Sequence, residues 1–152
     1  MNHININIFV VFALIITSIS CKTAQKMFDP KNTKSEYLFF GSGGGFTGKV
    51  IKYYLTSSGD LYTETAEGIS RMGKMESKNS KQIFNIYTSM SLHQININEP
   101  GNRYYFIEKY HGNEPINSIK WGAKDIENPT IETFYAILMK SVSKMSISNQ
   151  QN

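Results

Sequence analysis

Apolar positions change period several times along this chain. Residues 8–16, Ile8-Phe9-Val10-Val11-Phe12-Ala13-Leu14-Ile15-Ile16, form an unbroken apolar run. It is about half the roughly 20 residues that a bilayer-spanning helix needs, so it reads as the core of a signal peptide. Tyr37-Leu38-Phe39-Phe40 is a short aromatic run of the kind a buried strand presents. In Lys49-Val50-Ile51-Lys52-Tyr53-Tyr54-Leu55 the period of two puts Ile51, Tyr53 and Leu55 on one face, read here as the core face. Ser57-Ser58-Gly59-Asp60 supplies reversal chemistry, and residues 61–65 return as a partner strand. The pattern over residues 69–75 is compatible with a further short strand but does not demand one.

From Ser80 the period lengthens. Ile83, Phe84, Ile86, Tyr87 and Met90 follow the spacing of an amphipathic helix, with Asn79 or Ser80 available as N-cap. Glu99-Pro100-Gly101-Asn102 then makes a turn. Residues 103–109 and 115–121 predict a second hairpin across His111-Gly112-Asn113, with Trp121 covering the core. Asn128 caps a final helix with Pro129 in its first position, and Ile131, Phe134, Tyr135, Leu138 and Val142 share one face. Lys140 and Lys144 suit the negative end of that helix. The expected architecture is α+β, an antiparallel sheet of about five strands packed on one side by two helices. Residues 35–145 form the single globular domain, and 146–152 are expected to fray.

Composition narrows the setting. Residues 1–20 carry no Lys, Arg, Asp or Glu, so all 16 basic and 12 acidic side chains, net +4, belong to residues 21–152. Lys49, Lys52, Arg71, Lys74, Lys78 and Lys81 alternate with Asp60, Glu64, Glu67 and Glu76, which describes a mixed solvated surface rather than a nucleic-acid face. Cys21, the only cysteine, comes directly after Ser18-Ile19-Ser20. This segment resembles the lipobox of bacterial lipoproteins, in which a small residue precedes a cysteine that receives diacylglycerol before the signal is removed. Ser18 stands where that family usually has leucine, and Met1-Asn2-His3-Ile4-Asn5 lacks the usual positive flank. Ordinary secretion is the alternative, because small-x-small also suits general signal peptidase. Acylation gives a lone exported cysteine, which cannot form an internal disulfide, a role. The expected attachment is through N-terminal acyl chains, palmitate among them, with residues 21–34 as lipidated N-terminus and tether. Acidic residues directly after the cysteine resemble a surface-export signal in Bacteroidota lipoproteins; none stands here, which implies an outer-membrane protein facing the periplasm.

Gly41-Ser42-Gly43-Gly44-Gly45-Phe46-Thr47-Gly48-Lys49 is the most distinctive segment after Cys21. It partly matches two phosphate-binding patterns, G-x-x-x-x-G-K and G-x-G-x-x-G. Both require a helix next in the chain, whose amides face the phosphates, whereas a strand is expected after Lys49, and Val50 replaces the magnesium-binding hydroxyl. No nucleotide and no other cofactor is expected. Two readings of the loop stay open. Its glycines permit positive φ or a bulge at a sheet corner, leaving Phe46 to pack; alternatively Gly43, Gly44, Gly45, Phe46, Thr47 and Gly48 form a recognition surface. The loop, with Gly59-Asp60-Leu61-Tyr62, Pro100-Gly101-Asn102 and Ile119-Lys120-Trp121-Gly122, resembles a set of small Bacteroidota lipoproteins of unassigned function. Gly44-Gly45-Phe46-Thr47-Gly48 before a strand is also similar to the opening of emfourin-like metalloprotease inhibitors, a resemblance that carries over no inhibitory residue.

No catalytic or metal site is expected. After removal of His3 only His93 and His111 remain, too few for a metal centre. Gly41-Ser42-Gly43 lacks the strand-to-helix context of a nucleophile elbow. Glu64 with Glu67, and Asp125 with Glu127, read as surface charge. The expectation is a non-enzymatic binding module with an envelope protein as partner; inhibition of an envelope protease and an unrecognised enzyme acting on envelope material are the alternatives.

Overall fold

The computed structural model describes residues 28–122 and 128–150, with side chains described to residue 147. The signal segment, Cys21, most of the tether, Asp125 and Glu127 lie outside the described residues. Among the described residues the fold is α+β, with seven strands and two helices rather than the five strands and two helices expected. The strands are β1 (Glu36–Gly44), β2 (Ile51–Thr56), β3 (Asp60–Thr65), β4 (Gly68–Lys74), β5 (Ile97–Glu99), β6 (Arg103–His111) and β7 (Glu114–Gly122). The helices are α1 (Ser77–Ser89), continued by a 3-10 turn at Leu92–Gln94, and α2 (Pro129–Gln150). The strand order is β4-β3-β2-β1-β6-β7-β5.

All neighbours are antiparallel except β5 and β7. The expected purely antiparallel sheet is therefore corrected to a mixed one, for a topological reason. Residues 100–102 lead from β5 into β6, but β7 lies between those two strands, so β5 runs antiparallel to β6 and parallel to β7. The crossing passes the end of β7, where a Cβ on Gly122 would stand 3.0 Å from the Gly101 nitrogen. Two glycines allow the backbones to pass. β5 is only three residues long, too short for a period to reveal it.

Alternation along the strands creates two different faces. Leu38, Phe40, Leu55, Leu61, Ile107, Ile119 and Trp121 point toward the helices, where they meet Phe84 and Tyr87 of α1 and Ile131, Phe134, Leu138 and Val142 of α2 in one buried cluster. Tyr53 and Leu55 take the expected core face, but Ile51 stays 42 % exposed, because it pairs with Ser42 at the last register of β1 with β2. On the opposite face the rings of Tyr37, Phe39, Tyr54 and Phe106 contact one another, with Tyr62 beside Tyr54, and among the described residues no helix covers them. Phe28 lies on this face, stacked on Tyr62 at 4.7 Å and edge-on to Tyr37 at 5.4 Å. Phe28, inside the expected tether, is thus part of the packed domain. Asp29 fixes the adjoining turn by accepting from the Lys31 amide at 2.9 Å and from the Asn32 side chain.

Both helix starts can be compared with their predicted caps. Asn128 accepts from the Thr130 amide at 3.1 Å, the expected cap of α2. α1 begins earlier than expected, after Glu76, which makes no side-chain cap bond. Ser80 is instead buried in the first turn, and its hydroxyl donates toward the Ser57 carbonyl at 3.0 Å. α2 runs on to Gln150 instead of fraying at 146. Ser146 donates back to the Val142 carbonyl at 3.1 Å, and Met145 packs against Gly73 of β4, where a Cβ would come within 2.8 Å of its sulfur.

One polar network crosses the core. Asn117, buried in β7, donates to the carbonyls of Leu92 at 2.8 Å and Ile95 at 3.1 Å and accepts from the buried Tyr87 hydroxyl. It ties the end of α1 and the 3-10 turn to the sheet. Burial holds the Tyr87 phenol protonated far above its usual range, although the Asn117 bond opposes that shift. Asn117→Ala leaves three polar groups without their partner and is expected to cost about 3 kcal/mol in urea unfolding, against about 1 kcal/mol for Tyr87→Phe. Equal small losses for both variants would show that the network does not hold α1 to the sheet.

Candidate binding tip

The glycine segment is more ordered than its composition suggests. β1 continues through it, with Gly43 opposite Tyr104 and Gly44 opposite Arg103 of β6. The Gly45 amide extends the ladder by donating to the Asn102 carbonyl at 2.6 Å. Only residues 45–48 form the turn, closed by a bond from the Gly48 amide to the Gly45 carbonyl at 3.2 Å. Gly43 and Gly44 are therefore strand residues, not loop.

Two separate constraints require glycine here. Gly44 and Gly45 hold φ of 84° and 74°, and a Cβ on Gly44 would also lie 2.1 Å from the Asn102 carbonyl oxygen. Gly41 and Gly43 are needed for space alone. A Cβ on Gly41 would fall 1.9 Å from the Ile51 carbonyl oxygen and 3.0 Å from the Phe106 ring, and one on Gly43 would meet the Tyr104 ring at 2.7 Å. Phe106 and Tyr104 stand directly across β6 from these two positions, so their rings cover bare backbone.

This scaffold presents an apolar tip. Phe46 is completely exposed (107 % of reference), and Val50 and Ile51 beside it in sequence are 37 % and 42 % exposed. Of the first reading, positive φ is found at Gly44, Gly45 and Gly48, whereas its packed Phe46 is corrected: among the described residues the phenyl ring is fully exposed. Charge at the tip is basic. Lys49 and Arg103 are exposed, and no carboxylate occurs in residues 41–52. Lys52 is engaged elsewhere, 2.7 Å from Glu64. As expected, the glycines do not lead into a helix: β2 begins at Ile51, so the amides of residues 45–48 do not head one.

The remaining sequence candidates are scattered. Ser42 lies within β1, and hydrogen bonding with it partly opposes the burial that pushes the Tyr135 phenol up to about 12. His93 is exposed in the 3-10 turn, and His111 is exposed at the end of β6 with Nδ1 3.8 Å from Glu36. Among the described residues no three His, Cys, Asp or Glu side chains gather as a metal set, and no helix is long and apolar enough to cross a membrane. Glu64 and Glu67 do not act as a pair. Glu67 accepts from Thr65 in the turn after β3, whereas Glu64 lies on the aromatic face and accepts from Lys52 and from the Tyr54 hydroxyl. Sequence reasoning missed this face, although the unbroken run 37–40 already signalled burial on both sides of β1.

Glu64 has a defined titration. Desolvation opposes its ionisation, but hydrogen bonds from Lys52 and Tyr54 and the Lys52 charge outweigh it, so its pKa lies below the usual carboxylate value. Burial, and after it the bond to Glu64, raises the Tyr54 phenol. A depressed carboxylate contributes stability above its unfolded pKa of about 4.3 and loses it as the pH falls through the folded value. Glu64→Gln is accordingly expected to cost about 0.5–1 kcal/mol at pH 7, a deficit that shrinks as the pH falls below the unfolded carboxylate value of about 4.3 and through the lower folded one. A deficit that stays constant as the pH falls contradicts the assignment. At the tip, Phe46→Ser is expected to leave the unfolding free energy within about 0.5 kcal/mol of the parent, while Gly44→Ala costs about 2 kcal/mol. A large loss for Phe46→Ser would mean that the ring packs after all.

Comparison with protein-family models and with curated proteins gives no match for this chain. Its functional reading therefore rests on the tip itself.

Proposed function

We propose that this chain is a lipid-anchored, non-enzymatic binding protein of the cell envelope, acylated on Cys21 after loss of residues 1–20 and held at the outer membrane facing the periplasm. It captures an envelope protein with the tip at residues 43–48. The observation that carries the reading is Phe46: a fully exposed aromatic ring in a short turn closed by the Gly48–Gly45 bond, directly after the paired end of β1. Large exposed rings are costly to keep in water and are the side chains that anchor protein interfaces. Fixing the backbone beforehand also reduces the entropy lost on association.

The direction of β1 supports the same reading. The strand starts at Glu36, on the N-terminal side, and ends at the tip eight residues later, about 26 Å away at strand rise. A protein tethered through its N-terminus would present Phe46 away from the anchoring bilayer. The inhibitor reading would use the same ring, inserted into a protease specificity pocket.

A photo-crosslinking residue placed at position 46 in the full-length chain, expressed in cells, is expected to yield one discrete adduct with an envelope protein. The same probe at exposed Asn113 should yield none. Identical patterns from both positions would defeat the tip as contact. Cys21→Ala is expected to abolish palmitate labelling and to move the protein from the membrane to the soluble fraction; unchanged labelling refutes the anchor.

A further inference from the structure

A second feature lies on the other side of the molecule. α1 and α2 meet closely where Tyr87 and Phe134 stand 5.6 Å apart. Nearer the end of β4, an open groove of about 560 Å³ separates the N-terminal half of α1 from the C-terminal half of α2. This volume falls within the roughly 300–1,000 Å³ typical of small-molecule sites. Ile83 and Ile86 of α1 face Ile137 and Met145 of α2 across it. These four side chains make one apolar strip between two helices, and a methionine on one wall adapts its shape to what it contacts.

The rim of the groove is charged, and mainly with one sign. Lys74, Lys140 and Lys144 line it against a single carboxylate, Glu76. Lys140 and Lys144 are one helical turn apart, the spacing at which like charges repel. Among the described residues none of the three lysines takes part in an ion pair. Their stems can lie along apolar surface while the ammonium groups stay at the rim. An apolar strip flanked by a mainly positive rim is complementary to an amphiphile with one acyl chain and one anionic head.

We propose that the α1–α2 groove binds a single long-chain fatty acid, its chain along Ile83, Ile86, Ile137 and Met145 and its carboxylate between Lys140 and Lys144. This site is separate from the Phe46 tip. Each methylene taken from water adds to the affinity, and charge-assisted bonds to the lysines fix the orientation.

The test uses the purified, delipidated protein from residue 22 to the C-terminus with a dansyl-labelled undecanoic acid as fluorescent probe. Saturable binding, displacement by palmitate, and about tenfold weaker affinity in Lys140→Gln/Lys144→Gln are the expected results. The two lysines are exposed, so the thermal transition of this variant should match that of the parent. Ile137→Asn should also weaken binding, whereas Phe46→Ala should leave it unchanged. The proposal is overturned by absence of saturable binding, by hexadecanol competing as well as palmitate, by displacement with lysophosphatidate but not palmitate, or by full affinity in the double lysine variant.

Discussion

The fold depends on how closely the backbone of β1 can be approached. This strand is the centre of the sheet, paired with β2 along one edge and β6 along the other. At Gly41 the carbonyl of Ile51 on one neighbour and the ring of Phe106 from the other converge on the place where a Cβ would stand. The absence of a side chain therefore joins the two halves of the sheet, the β1–β4 meander and the β5–β7 unit. The same device repeats at Gly43 under Tyr104, and it carries the β1–β6 ladder out to the tip. A glycine run that composition alone would describe as flexible is held by cross-strand rings.

With β1 in place, the two faces divide the work of stabilisation differently. The helix side buries aliphatic and aromatic side chains in a single cluster and fixes the helix register with one polar contact set at Asn117. The open side relies on ring-on-ring contact, with Phe28 as a partial cover and charged side chains at its margin. Lys52 and Glu64 form one such pair, and Lys120 lies over the Tyr104 ring at 5.7 Å. Aromatic pairs add about 0.5–1.5 kcal/mol each beyond their buried area, which suits a face that no helix covers among the described residues.

Much of this fold is legible in residue pattern, and the exceptions have physical causes. β2, β3, the β6–β7 hairpin, the Asn128 cap and the apolar stripe of α2 all emerge from period and turn chemistry, because each is local. β5 escapes because three residues cannot display a period, and its parallel pairing is decided by the position of β7 rather than by its own side chains. The start of α1 differs from its pattern because Ser80, a good cap by type, is used as a buried donor to the β2–β3 turn. Phe28 reads as tether because a single aromatic residue in polar surroundings gives no pattern; its partners Tyr37, Tyr54 and Tyr62 come from three strands. At the tip, the segment itself is recognisable, but not the fact that Gly43 and Gly44 belong to the strand. That depends on Tyr104 and Asn102, far away in sequence on β6 and the turn before it.

The proposed binding role rests on a rigid strand ending in an exposed ring, so backbone protection at the tip is the property to measure. Amide hydrogen exchange on the intact domain, read residue by residue by NMR, reports it directly. The amide of Gly45, bonded to Asn102, should exchange at least about a hundredfold more slowly than that of Phe46, one residue further on. Equally fast exchange at both positions would contradict the account, because the glycines would then form a mobile loop and Phe46 would lack a fixed place from which to bind.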